Sequence, residues 1–194
     1  MTRPRKNGLR IALVLACLVG AALPLLAPAA RALQDVRPDD AGLLEKLRYP
    51  KTVVLVRHAE KGTDDPRDPN LTEAGVVRAE ALARTLQGAG VTHLFASEYR
   101  RTQETLAPLA LLAGVQVRIV PARDPRAVAS AVRELPRGSV VVVAGHSNTV
   151  PALVADLGGG EPRELAESDY DRLYVVTMWG DERKSSVLEL RYGD

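Results

Sequence analysis

Short apolar runs alternate with stretches of helical periodicity along most of the chain, and this alternation limits the fold more than any other feature. Four runs rich in β-branched residues have the length of buried strands, at residues 52–56, 91–96, 115–120 and 139–144. Segments with apolar residues at helical spacing lie between them, at residues 72–86, 102–112 and 125–135. This repeated order predicts a three-layer α/β/α fold with a mostly parallel central sheet.

The C-terminal part breaks the alternation. A helical segment at residues 150–157 is followed by a glycine-rich loop at 158–160. Two apolar runs then come close together, at residues 173–179 and 185–191, with Gly180-Asp181-Glu182 between them. Two strands joined by so short a connection pair antiparallel, so we expect a C-terminal hairpin at one edge of the sheet.

The first 32 residues have the pattern of an export signal. Arg3, Arg5, Lys6 and Arg10 precede an uncharged run over residues 11–30, and Ala30-Arg31-Ala32 forms a small-x-small cleavage site. We therefore predict a signal peptide at residues 1–32, a single folded domain at 33–194 and a periplasmic or secreted protein. The alternative is an uncleaved N-terminal anchor, which would be its only contact with a membrane.

The charge balance argues against a nucleic-acid partner once the signal is removed. Five of the 26 basic residues and none of the 24 acidic residues lie within it, which leaves 21 basic residues against 24 acidic ones. The one cysteine, Cys17, leaves with the signal as well, and the three histidines include no close pair. The sequence therefore predicts neither a metal nor another cofactor.

Three polar segments follow the predicted strands at the point where each strand ends. They are Arg57-His58, the segment 97–105 with Ser97 and Arg101, and Gly145-His146. Ligands of parallel sheets bind beyond the carboxyl ends of the strands, so we expect these side chains to converge. Guanidinium groups match phosphate oxygens in pairs, and an imidazole among positive charges keeps a lone pair free for nucleophilic attack. The pattern favours phosphoryl transfer without a metal and a small phosphorylated substrate.

The same residues, in the same order, resemble the histidine phosphatase superfamily, in its phosphoglycerate mutase-like branch. The motifs are the Arg-His pair, the Ser-x-x-x-Arg-Thr-x-x-Thr pattern of residues 97–105 and the strand-borne Gly-His, and the likeness covers roughly residues 51–179. The resemblance implies a phosphomonoester hydrolase in which His58 takes the phosphoryl group. Arg57 and Arg101 would bind its oxygens, His146 would hydrogen-bond to it in the transition state, and water would hydrolyse the phosphohistidine.

The resemblance is incomplete at the general acid. Some members of the superfamily have an aspartate directly after the second histidine, where this chain has Ser147. Others use a carboxylate that follows the third strand, which makes Asp124 the first candidate, with Glu60 and Glu98 as alternatives. Ala59 also replaces the glycine that many members have after the nucleophile.

Two other functions are compatible with parts of the pattern. A non-catalytic phosphate or phosphosugar binding protein of the same fold would keep the arginines without turnover. A serine hydrolase would use Gly145-His146-Ser147 as its nucleophile elbow, but no histidine follows Ser147 and Thr149 replaces the second glycine of that motif. The remaining histidine, His93, lies within a predicted strand, and we interpret it as structural.

Overall fold

The computed structural model describes residues 49–179 and 185–193. The predicted signal at 1–32, the lead-in at 33–48 and the turn of the C-terminal hairpin lie outside the described residues. Within the described ranges, no helix combines the length and the apolar character needed to cross a bilayer.

Strands and helices alternate as the apolar pattern predicts, up to the C-terminal pair of strands. The strands are β1 (Lys51–Arg57), β2 (His93–Ala96), β3 (Val117–Ile119), β4 (Val140–Gly145), β5 (Arg172–Met178) and β6 (Ser185–Arg191). The helices are α1 (Glu73–Leu86), α2 (Arg100–Ala113), α3 (Pro125–Glu134) and α4 (Thr149–Asp156).

The strands form one sheet in the order β3-β2-β4-β1-β5-β6. The pairs β1–β4, β2–β4 and β2–β3 are parallel, whereas β5 runs antiparallel to both β1 and β6. The expected mixed sheet with an antiparallel C-terminal hairpin is therefore confirmed. Because β5 runs against β1, the residues that precede β5 reach the edge of the sheet where β1 and β4 end.

Alternate residues of the central strands face opposite sides of the sheet and build two cores. On one side Val53 and Val141 belong to a cluster with Val128 of α3 and Leu153 of α4. On the other side Val54 and Val142 belong to a cluster that contains residues of α1 and α2, including Leu82, Leu106 and Leu109. Burial on both faces explains the uninterrupted valine runs, because strands covered on both sides do not alternate with polar residues.

The N-terminus of α1 packs against the loop that follows β1. Thr72 caps the helix, and its hydroxyl accepts a hydrogen bond from Gly75 N at 3.1 Å. A Cβ at Gly75 would lie 2.3 Å from the carbonyl oxygen of Glu60, so only glycine allows this close approach. The contact fixes the backbone two residues beyond His58.

Candidate active site

His58 and His146 lie side by side because they follow neighbouring parallel strands. Arg57, the last residue of β1, is in register with Gly145, the last residue of β4, and His58 N donates to Gly145 O at 2.9 Å. The two imidazole rings are 5.4 Å apart between centroids. A Cβ at Gly145 would lie 2.8 Å from Thr149 Oγ1, so the glycine before the second histidine is required by packing.

The His58 ring is buried and held in one orientation. Its side chain is 3% exposed, and Nδ1 lies 2.7 Å from the carbonyl oxygen of Ala59. A carbonyl oxygen only accepts hydrogen bonds, so Nδ1 carries the proton and Nε2 keeps its lone pair. Burial lowers the pKa of His58 to about 3, and electrostatic interactions with His146, Arg57 and Arg101 act in the same direction. The imidazole is therefore neutral at physiological pH.

Arg57 is held by the segment that precedes β5. Its Nη1 donates to the carbonyl oxygens of Ala166 and Glu167 at 2.8 and 3.0 Å, and its Nη2 donates to the Glu167 carboxylate at 3.0 Å. The guanidinium lies over the ring of Tyr170, 4.4 Å from the centroid. The sequence did not predict these contacts. The only indication of them is the polar stretch directly before β5, the strand expected to be antiparallel.

Arg101 and Ser97 come from the segment between β2 and α2. The Arg101 side chain is 13% exposed, lies over the Tyr99 ring at 4.3 Å, and has Nη1 3.8 Å from a carboxylate oxygen of Asp68. Ser97 Oγ is 3.0 Å from His146 Nε2 and 2.8 Å from Thr102 Oγ1. The serine of the second motif therefore orients the histidine of the third.

Thr105 joins the second motif to the first. Its hydroxyl donates to the Arg101 carbonyl at 2.6 Å and accepts a hydrogen bond from Ala59 N at 2.9 Å. One buried side chain thus holds the backbone of Arg101 and that of the residue after His58 together. This explains the second threonine of the Ser-x-x-x-Arg-Thr-x-x-Thr pattern.

The pKa of His146 is also low, at about 4, mainly because of burial and then because of the positive charge of Arg101. His146 N donates to Thr149 Oγ1 at 2.8 Å, and the ring meets Tyr99 edge-on with 5.4 Å between centroids. Two neutral imidazoles therefore lie edge-on to each other, beside the guanidinium groups of Arg57 and Arg101.

The four predicted residues meet at one open cleft with about 410 Å³ of space. Arg57, His58, Arg101 and His146 line it together with Lys61, Tyr99, Ala122, Arg123, Ser147, Asn148, Thr149 and Glu167. His93 lies elsewhere, at the start of β2, with Nδ1 2.8 Å from Thr92 Oγ1. The described residues contain no group of histidine, cysteine and acidic side chains that could hold a metal ion.

The three carboxylates considered as general acids all have structural partners, and none of them lines the cleft. Asp124 is the N-cap of α3 and accepts a hydrogen bond from Ala127 N at 3.1 Å. Glu98 Oε2 accepts from Ala122 N at 2.7 Å, and Glu60 forms an ion pair with Arg78 at 2.8 Å. Asp124 therefore has a helix-capping contact that the sequence did not predict, and its role as general acid stays a prediction.

Fold and site together define an α/β protein with two histidines and two arginines around one cleft, where the parallel strands end. Residues 53–124 match the family model of the histidine phosphatase superfamily (branch 1), which confirms the resemblance predicted from the motifs.

One relative and several solved structures are similar to the chain. The 8-oxo-(d)GTP phosphatase of Mycolicibacterium smegmatis is 37% identical over an alignment of 83 residues, and the match covers 38% of this chain and 26% of the relative. The protein histidine phosphatase SixA, complexed with tungstate, has a TM-score of 0.60 and 20% identity over 72% of this chain and 96% of its own. SixA from Nakamurella multipartitia has a TM-score of 0.54 and 25% identity over 75% of this chain and 96% of its own.

A mycobacterial glucosyl-3-phosphoglycerate phosphatase has a TM-score of 0.56 and 17% identity over 73% of this chain and 98% of its own. At 17% and 20% identity, the mycobacterial and tungstate-bound structures establish the fold alone. The chain has the histidine phosphatase fold.

Proposed function

We propose that this protein is a metal-independent phosphatase that hydrolyses phosphomonoesters through a phosphohistidine on His58. The observation that carries the proposal is the state of His58. It is a buried, neutral imidazole whose Nδ1–H is donated to Ala59 O, and it lines a cleft together with Arg57 and Arg101. A nucleophile with its lone pair free and its ring fixed needs no separate base.

Arg57 and Arg101 are suited to bind the phosphoryl oxygens. The Nε–H groups of both side chains are buried and have no hydrogen-bond acceptor among the residues that the structure describes. A buried donor left unpaired costs about 1–3 kcal/mol, so an oxyanion that accepts from both groups would recover that free energy. Charge-assisted bonds from two guanidinium groups also stabilise the negative charge of the transferring group.

The reaction then has two steps. His58 Nε2 forms a bond to phosphorus while the bond from phosphorus to the ester oxygen breaks, and that oxygen takes a proton from water. A second water molecule attacks phosphorus and loses a proton to the hydroxide left by the first step. The nitrogen–phosphorus bond breaks, and inorganic phosphate and the neutral imidazole are released. His146, whose ring centroid is 5.4 Å from that of His58, would hydrogen-bond to the phosphoryl group in both steps.

The positions of the carboxylates affect which esters react well. With Asp124, Glu98 and Glu60 engaged in structural contacts, no carboxyl among them is available to protonate the leaving oxygen. Esters of acidic alcohols, such as phenols, do not need that proton and should be the better substrates.

We also propose that the protein is exported, on the strength of the signal pattern in residues 1–32. The catalytic part would then act in the periplasm or outside the cell. Phosphate esters reaching that compartment would be its substrates.

The test is turnover of p-nitrophenyl phosphate by the full chain and by His58→Asn. Asparagine can donate to Ala59 O as Nδ1 does but offers no nucleophilic nitrogen, so we expect turnover to fall on the order of a thousandfold or more. His93→Asn is the matched control and should keep wild-type turnover. Comparable turnover by wild type and His58→Asn would falsify the nucleophile assignment. If neither the wild type nor His58→Asn hydrolyses p-nitrophenyl phosphate, but phosphate raises the melting temperature of the wild type, the protein is better described as a phosphate-binding protein.

A further inference from the structure

We propose that Lys61 and Arg123 form a subsite for a second anionic group, carried by the part of the substrate that leaves. The proposal rests on the phosphatase function above and names the class of substrate for that same cleft. The class is a phosphoryl compound whose leaving portion bears a carboxylate or a further phosphate.

Lys61 and Arg123 line the cleft but have no ion-pair partner within the described residues. Both side chains are exposed. The arginines beside His58 differ, since Arg57 is bonded to Glu167 and Arg101 stacks on Tyr99 near Asp68. The cleft thus has one pair of cations held in place around the predicted nucleophile and a second pair that is exposed and unpaired.

The backbone that carries Lys61 is anchored. Lys61 forms a β-bridge with Leu71, and Gly62 N donates to Asn70 O at 2.7 Å. Lys61 is also near enough to His146 for its charge to contribute to the lowered pKa of that imidazole. Lys61 therefore lines the cleft from an anchored backbone position three residues after His58, and its charge acts on His146.

The backbone that carries Arg123 is anchored by a backbone hydrogen bond across residues 121–124 and by the Glu98 carboxylate. Asp124 N donates to Pro121 O at 2.9 Å and closes a turn, and the Glu98 carboxylate accepts from Ala122 N at 2.7 Å. The Asp124 carboxylate then caps α3. Since the turn is already fixed, a ligand that binds Arg123 would order only its side chain.

The charges in the cleft do not balance with a single phosphoryl group. Four cations line it, and Glu167 is the one carboxylate that does so among the described residues. A phosphoryl dianion at Arg57 and Arg101, together with Glu167, compensates three of the four positive charges, so the excess positive charge lies at Lys61 and Arg123. A second anion would pair with them, Arg123 through its planar fork and Lys61 as a point charge. Stabilised negative charge on the leaving portion would also help its departure where no carboxyl donates a proton.

The test compares p-nitrophenyl phosphate with its ring-carboxylated analogue, and phosphate with pyrophosphate as competitive inhibitors. We expect the wild type to favour the carboxylated substrate in kcat/KM about tenfold and to bind pyrophosphate about tenfold more tightly than phosphate. Lys61→Gln and Arg123→Gln should each reduce these ratios about threefold or more, and added salt should reduce them in the wild type. Arg67→Gln and Arg126→Gln, which remove exposed charges outside the cleft, should leave both ratios unchanged.

Each arm has its own reading. A preference in the carboxylate arm alone assigns the subsite to carboxylates, and one in the pyrophosphate arm alone assigns it to phosphates. Ratios near one in both arms, or ratios that the two subsite variants do not alter, would overturn the proposal. If no ester is hydrolysed, the phosphatase proposal fails separately, and thermal stabilisation by pyrophosphate relative to phosphate still tests the subsite.

Discussion

Protein stability should fall between pH 7 and pH 5 because two histidines are buried in the neutral form. The pKa of His58 is lowered from 6.5 to about 3, and that of His146 from 6.5 to about 4. Below pH 6.5 the unfolded chain takes up a proton at each histidine, whereas the folded protein does so only near those lower values. The free energy of unfolding therefore decreases as the pH falls through this window.

The size of the effect follows from the two pKa shifts. A fully shifted histidine loses about 2 kcal/mol between pH 7 and pH 5, since each pH unit below the unfolded pKa costs about 1.4 kcal/mol. We assign that value to His58, which is 3% exposed. His146 is half-buried, and solvent reduces its share to about 1 kcal/mol. The expected total loss is about 3 kcal/mol.

Urea unfolding at pH 7 and pH 5, in buffers without phosphate, measures this difference. In the double variant His58→Asn/His146→Gln, most of this difference between pH 7 and pH 5 should disappear. Asparagine imitates Nδ1 of His58 and glutamine imitates Nε2 of His146, but neither side chain titrates. The pKa values of Asp65 and Asp169 are lowered from 3.8, so these groups titrate below the window. His93→Asn should behave as the wild type does. Equal pH dependence in the wild type and the double variant would refute the reasoning.

Two further predictions concern phosphate binding at Arg57 and the N-terminus. Glu167→Gln removes the negative charge that pairs with Arg57 Nη2 at 3.0 Å. Inorganic phosphate should therefore inhibit the variant at about threefold to tenfold lower concentration. Glu164→Gln, an equal charge change outside the cleft, should leave the inhibition constant of phosphate unchanged. If Glu167→Gln also leaves it unchanged, the carboxylate does not compete with phosphate. For export, intact-mass measurement of the secreted protein should give a chain that begins at Leu33. Recovery of the full chain in the membrane fraction would support the anchor.

The parts of the fold that sequence predicted are those set by repeated local pattern. Strands covered on both faces leave continuous valine runs, as in β4, and the helices between them keep their apolar spacing. The motif residues could be placed at one edge because parallel strands end there. Arg57, His58, Arg101 and His146 line one cleft, as their positions after parallel strands predict.

The contacts that the sequence analysis missed depend on long-range hydrogen bonds that have no periodic signature. Arg57 meets the carbonyls of Ala166 and Glu167 across more than 100 residues of chain. Backbone carbonyls occur at every position, so no residue type marks them as partners. The helix-capping contact of Asp124 has no sequence signature for a related reason. Whether Asp124 faces a cleft or caps a helix is decided by one side-chain rotamer, which neither spacing nor composition reveals.

The antiparallel direction of β5 affects when the site is completed during folding. The segment that grips Arg57 arrives at the catalytic edge only because β5 enters the sheet from that side, after β1 to β4 have been synthesised. A partly folded chain with the four parallel strands in place would have both histidines but a guanidinium without its backbone acceptors. The cleft around Arg57 is therefore complete only when the last two strands have joined the sheet.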